Sequence, residues 1–407
     1  MAVALAVAQA RARMTQSAYV QQPTLGLLYL TDHWADQAET ILDHLAHALP
    51  TVVDWVGTVG VGVCANDVEY FDEPALALML CALPTDQYRV FSGLSPLDRA
   101  WVPATALVHA DPRTPDVADL IAELAGRTAS HSVFGGLSAS RGLCVQWARS
   151  GKGTRPDRGA HPGVFEGGLS GVAFGPDVGL ICRVTQGCQP MGPPHRVSAA
   201  DGPLVLELDG RAALPVLLSE WGLGLDQPQQ TIHALRQTLV GIHEPRLGLE
   251  APSALTRRPA YFGPDVQVRH IIGLDPARQG LVVAQSLSPG TVVSFCQRNV
   301  QAAHADLVRI CTEIRETLEP QETSPTLAPA LAAHELNGEP HSARAMVGAI
   351  YISCAARGGA YFGAHNAELQ AVRRALGDVP LVGFFAAGEI ARHHVHSYTG
   401  VLTVFTA

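Results

Sequence analysis

Leu25-Gly26-Leu27-Leu28-Tyr29-Leu30 near the front of the chain and Val347-Gly348-Ala349-Ile350-Tyr351-Ile352 near its end are one apolar pattern written twice. Each runs into a helical stretch, then a glycine-rich turn, then a closing apolar run. The turns are Val56-Gly57-Thr58-Val59-Gly60-Val61-Gly62 and Val382-Gly383-Phe384-Phe385-Ala386-Ala387-Gly388-Glu389, and the closing runs cover 75–80 and 401–405. A fainter copy between them passes from Ala106-Leu107-Val108, through the helical stretch 117–124, to Val133-Phe134-Gly135-Gly136. Such self-similarity means that one supersecondary unit was reused. The expected fold class is α/β with mixed α+β sheets, built from duplicated β-α-β-β units in two related domains. Residues 1–23 read as a lead-in, 24–250 as the first domain and 251–407 as the second.

Composition supports a compact fold. Of 407 residues, 47% are hydrophobic and 16% charged, enough to bury substantial cores. The net charge of −9, with Lys152 the only lysine and no basic stripe, argues against nucleic-acid binding. Ser150-Gly151-Lys152-Gly153-Thr154 lacks the Ser or Thr that a phosphate-binding loop needs directly after its lysine. The eight cysteines form no C-x-x-C pair and read as buried thiols of a reducing compartment. The apolar start Met1–Ala8 lacks a basic leading region, so it does not read as a secretory signal. No stretch reaches the roughly 20 apolar residues of a membrane span. The expectation is a cytoplasmic protein with no membrane partner.

Local signals place further elements. An amphipathic helix is expected from about Ala35 to Leu49, with Ile41, Leu42 and Leu45 on one face, Asp32 as its cap and Pro50 as its stop. Residues 149–163 and 319–343 read as loops, and a helix is expected from about Val300 to Leu318.

The assembled motifs resemble the FIST family of bacterial sensory proteins, which have an N-terminal and a C-terminal FIST domain. The first half resembles it at Val133-Phe134-Gly135-Gly136-Leu137-Ser138-Ala139-Ser140, at Gly167–Phe174, at Thr185–Gly192 and at Leu206–Gly210. The second half does so at Ser353-Cys354-Ala355-Ala356-Arg357-Gly358, at Tyr361-Phe362-Gly363, and most specifically at Gly383-Phe384-Phe385-Ala386-Ala387-Gly388-Glu389-Ile390, followed by His396 and Thr399. The resemblance implies a ligand-sensing role, with amino acids or similar small polar molecules as ligands. It also implies, for some members, haem binding and nitric-oxide sensing. No fused transmitter follows in this sequence, so the expected partner is a separate signalling protein acting in trans.

Candidate site residues follow from chemistry. Glycine turns let backbone N–H groups approach a ligand, which points to Gly135, Gly136, Gly358 and Gly388, with Ser138, Phe362 and Phe384 beside them. Arg357 follows a strand and has no carboxylate close in sequence, so its guanidinium suits a carboxylate ligand held bidentately. Glu389 sits in apolar surroundings and needs a partner, either Arg357 or a ligand ammonium. Arg141 is a weaker candidate of the same kind. In His393-His394-Val395-His396, neighbours on a strand face opposite ways, so only His394 and His396 share a side and no metal site is expected. His396 is the candidate axial ligand if haem is bound; otherwise no cofactor is expected. Cys188 carries the alternatives of a redox thiol and a packed one. No nucleophile elbow or Ser-His-Asp spacing occurs, so an enzyme is only the second alternative, with no catalytic residues assigned.

Overall fold

A computed structural model describes residues 1–17, 19–151, 163–243, 262, 266–319 and 345–407. The repeat read from the sequence is real and threefold. In the first unit, strand Leu25–Thr31 leads through helix Ala38–Ala48 to the parallel strand Asp54–Gly60, and Leu76–Cys81 closes the unit antiparallel to the opening strand. The middle unit repeats this with Thr105–Ala110, helix Val117–Gly126, Val133–Leu137 and Leu169–Phe174. The last does so with Met346–Cys354, helix Ala367–Leu376, Leu381–Ala386 and Thr399–Thr406. The opening strands are continuous apolar runs because they are covered on both faces, by a helix outside and by the shared core inside.

The units are interlocked. Between its second and closing strands each unit emits a hairpin that joins the sheet of another unit. The first unit's hairpin, Gly62–Ala65 with Val68–Phe71, extends the last unit's sheet. The middle unit's, Gln146–Ser150 with Val164–Phe165, extends the first. The last unit's, Glu389–Arg392 with His394–His396, extends the middle one. The inner faces meet in one core where Tyr29 stacks on Phe384 at 4.9 Å between ring centres and its hydroxyl lies 3.2 Å from Nε2 of His109. Burial pushes the His109 imidazole down to about 3, so it stays neutral there.

A separate body is inserted between strand Gly179–Gln186 and helix Val300–Leu318. Strands His195–Asp201, Leu204–Leu208, Gly280–Val283, Val266–Asp275, Thr238–His243 and Val292–Arg298 pair antiparallel in a ring that closes on itself, a small barrel packed against helix Ala213–Trp221. Strands from 24–250 and from 251–407 therefore share sheets, and the expected boundary at 250 falls outside the described residues, as do most of the loops expected at 149–163 and 319–343.

Two local expectations change. Most of the glycine-rich segments are strand: Gly57, Gly60, Gly62, Gly135, Gly136 and Gly383 lie within strands, and only Val61 and Ala387-Gly388 bend the chain between them. A Cβ at Gly57, Gly135 or Gly383 would run into the carbonyl oxygen of Leu28, Val108 or Tyr351 on the paired strand, so these glycines permit close backbone approach within the sheet. Asp32 does not cap the helix: it starts a short 3-10 turn, Asp32–Gln37, and its carboxylate is taken by Arg141.

Strand Thr399–Thr406 lies between Met346–Cys354 and Gly179–Gln186. Removing the last eight residues is expected to abolish the cooperative thermal transition seen by circular dichroism. Gly135→Ala is expected to destabilise by about 1–3 kcal/mol in a urea titration.

Candidate functional site

Strand Met346–Cys354 runs into a 3-10 turn, Ala355–Arg357, that folds Arg357 back into the interior, where it is 1% exposed. There it meets Glu368 at the start of helix Ala367–Leu376: Nε donates to Glu368 Oε1 at 2.9 Å and Nη2 donates to the same oxygen. Tyr351 Oη donates to Glu368 Oε1 at 2.6 Å and Ser353 Oγ to Oε2 at 2.9 Å, and the Phe362 ring lies 5.2 Å from the guanidinium carbon. Burial works against the Arg357 charge, but the Glu368 and Tyr351 oxygens outweigh it and hold the pKa above the ordinary arginine range. The expectation of an unpaired Arg357, or of an Arg357–Glu389 bridge, is thus corrected. The partner is Glu368, eleven positions on, brought back by the turn between strand and helix.

Glu389 is fully buried. Its Oε2 accepts from the backbone N–H and the hydroxyl of Thr399 at 3.1 and 2.7 Å, while Oε1 has no hydrogen-bond partner among the described residues. Burial pushes this carboxyl up to about 8, against the pull of the Thr399 bonds and of the nearby Arg357 charge, so it carries its proton at neutral pH. His396 pairs in register with Glu389 across the hairpin and is 1% exposed. Burial, with His394 and Arg269 nearby, pushes its imidazole down to about 3. Its Nδ1 has no hydrogen-bond partner among the described residues. His393 and His394 do not diverge as strand neighbours would. Their ring centres lie 3.8 Å apart because His393 sits in a tight turn after Arg392, which has φ 57°.

The remaining candidates do not gather at this point. Gly136 faces the shared core, where a Cβ would meet Ile352, Ala386 and Phe384 at 2.8–3.0 Å. With Gly135 and Phe384 it packs the junction of the units rather than facing a ligand. Ser138 Oγ lies 2.6 Å from Thr58 Oγ1, buried. Gly388 packs under Val395 and Gly358 under the Phe71 ring. Arg141, 55% exposed, bridges Asp32 and Asp72 on the surface. Cys188 is a buried thiol beside Cys296.

Above Arg357 the site reaches the surface, through residues that sequence reasoning missed. Arg298 is exposed, with its guanidinium carbon 4.3 Å from the Tyr361 ring centre and 5.0 Å from that of Tyr398. It donates to the Ala356 carbonyl, and no carboxylate among the described residues pairs with it. The Tyr398 hydroxyl is hydrogen-bonded to Nε2 of His270 on the barrel. The chain enters the barrel at Gly187–Cys188 and leaves it at Arg298–Asn299, and Asn299 N–H donates to the Gly187 carbonyl at 3.0 Å. Both crossings therefore run beside this aromatic cluster: a Cβ at Gly187 would sit 2.9 Å from the Tyr398 carbonyl oxygen and 3.7 Å from both Ala303 Cβ and Arg357 Nη1. The one available sequence signal was a cation, Arg298, directly before the helix cap Asn299.

Two consequences are measurable. Glu368→Gln leaves a buried guanidinium without its counter-charge and is expected to cost about 3–5 kcal/mol in urea denaturation, partly recovered by adding Arg357→Met. The folded state keeps the Glu389 proton that the unfolded chain releases near 4.5, so this residue lowers stability as pH rises from about 4.5 to about 8. Glu389→Gln is expected to flatten that part of the stability–pH curve by up to about 1.4 kcal/mol per pH unit. Parallel curves for parent and variant would mean that Glu389 ionises normally in the fold.

The FIST N domain matches residues 24–211 and the FIST C domain residues 232–392. The uncharacterized protein Rv0628c of Mycobacterium tuberculosis is 28% identical, over 98% of this chain and 96% of its own length. The uncharacterized protein Mb0898c of Mycobacterium bovis is 30% identical over 60% of this chain and 54% of its own length. FIST domains are sensory domains of signal-transduction proteins. With a FIST N domain followed by a FIST C domain over most of its length, the chain belongs to the FIST family.

Proposed function

We propose that this chain is a cytoplasmic sensory protein that binds a small polar ligand bearing a carboxylate, an amino acid or a close relative, at the seam between the interlocked units and the barrel. The supporting observation is Arg298: an exposed guanidinium, without a carboxylate partner among the described residues, held between two tyrosine rings of the other body. A planar cation presented this way takes a carboxylate bidentately. The rings of Tyr361 and Tyr398 supply apolar contact around it, and Phe362 packs edge-on against Tyr361.

The position also suits signalling. Both chain crossings into the barrel pass here, so a ligand bridging Arg298 and the tyrosines changes how the two bodies are held and biases their relative arrangement. Behind the rim, the Arg357–Glu368 pair is closed and internally satisfied. It anchors the aromatic cluster rather than meeting the ligand. The response then passes to a separate signalling protein.

A thermal-shift screen of amino acids and small dicarboxylates checks this. A ligand at about 100 times its Kd is expected to stabilise the protein by about 2.7 kcal/mol, and Arg298→Ala to abolish the shift. Absence of any shift across the set, or a shift unchanged in Arg298→Ala, would remove this reading.

A further inference from the structure

The three sheets share one strand order: hairpin, second strand, opening strand, closing strand. In two of them a further strand covers the outer edge of the closing strand. Tyr88–Ser92 runs antiparallel along Leu169–Phe174, and Gly179–Gln186 runs antiparallel along Thr399–Thr406. In the first sheet no such strand exists among the described residues, and Leu76–Cys81 is the edge.

That edge is unusual. Leu-Ala-Leu-Met-Leu-Cys has no charge, no proline and no bulge, the devices that normally protect a sheet edge, and five of its six residues are only half-buried. A groove of about 1170 Å³ runs along its whole length. One wall is helix Ala2–Met14, on the side where Leu76, Leu78 and Leu80 pack. The other is formed by the last unit's sheet, including Met346 and Phe405, on the side of Met79 and Cys81. The volume exceeds the roughly 300–1,000 Å³ of small-molecule sites.

We infer that this groove takes an extended peptide segment of a partner protein, which adds as a strand antiparallel to Leu76–Cys81. The two sister strands define what fits. They are five and eight residues long, and their core-facing residues are apolar: Tyr88 and Val90 in one, Leu180, Cys182 and Val184 in the other. A segment with apolar residues at alternate positions would set them beside Met79 and Cys81 and continue the shared core, while its backbone took up the edge's free N–H and C=O groups. Walls on both faces of the edge favour one inserted strand over the edge of a second copy, which brings walls of its own. The groove is built from other residues than those around Arg298, so ligand binding and peptide docking can be lost independently.

The probe is a fluorescent octapeptide with the sequence of Gly179–Gln186, its cysteine replaced by serine, offered to the full chain. Saturable binding by anisotropy is expected. With peptide about ten times above its Kd, amide exchange within 76–81 should slow about tenfold. A control peptide with aspartate at the three core-facing positions should not bind, and Met79→Asp should weaken binding at least tenfold while the response to small carboxylates persists. Binding that leaves the 76–81 amides unprotected, equal binding of the control, or absence of binding would overturn the proposal. So would concentration-dependent protection of the same amides without peptide, which would assign the edge to a second copy.

Discussion

No sheet of the interlocked body is made from one continuous stretch of chain. Each depends on a hairpin donated by another unit, so the three sheets reach their full width only when all three units are in place. Long-range pairing of this kind carries a loop-closure cost that must be met before its contacts form. It also fixes the core. The stacked Tyr29 and Phe384, the neutral His109 and the Cβ-free surface of Gly136 meet only because the sheets are held face to face. Glycine at 57, 135 and 383 serves the same end, by letting second strands approach the carbonyls of opening strands.

The buried polar groups fall into two kinds. Arg357 and Glu368 form a charged pair whose four donors converge on one carboxylate, and a network completed in this way is a specific structural lock. Glu389 and His396 lie close by but have no counter-charge of their own, and burial makes both neutral at physiological pH. The lock and the neutral pair sit under the point where the chain crosses into the barrel. The exposed face of that point is aromatic and cationic, and its geometry depends on residues from both bodies.

The edge of the first sheet and the seam at Arg298 occupy different parts of the molecule and differ in chemistry: one is an apolar strand edge, the other aromatic and cationic. A sensory domain needs both an input and an output surface. This arrangement supplies two candidates joined by one interlocked core.

The repeat, the mixed α/β class and helix Val300–Leu318 were legible in the sequence because they rest on local periodicity and on reused apolar patterns. The resemblance at Gly383–Ile390 likewise located the family. Sequence alone misplaced Gly57, Gly135 and Gly383 in turns, since a glycine permits a turn and a close strand approach equally, and only the partner strand decides. It missed Glu368 as the partner of Arg357, and it missed Arg298 with Tyr398 altogether, because ion pairs and aromatic contacts are set by distance in space. Composition and periodicity determined the fold class and the strongly periodic strands and helices. The exchange of hairpins between units decided which segments meet, because strand edges pair with whatever edge the closed fold brings alongside.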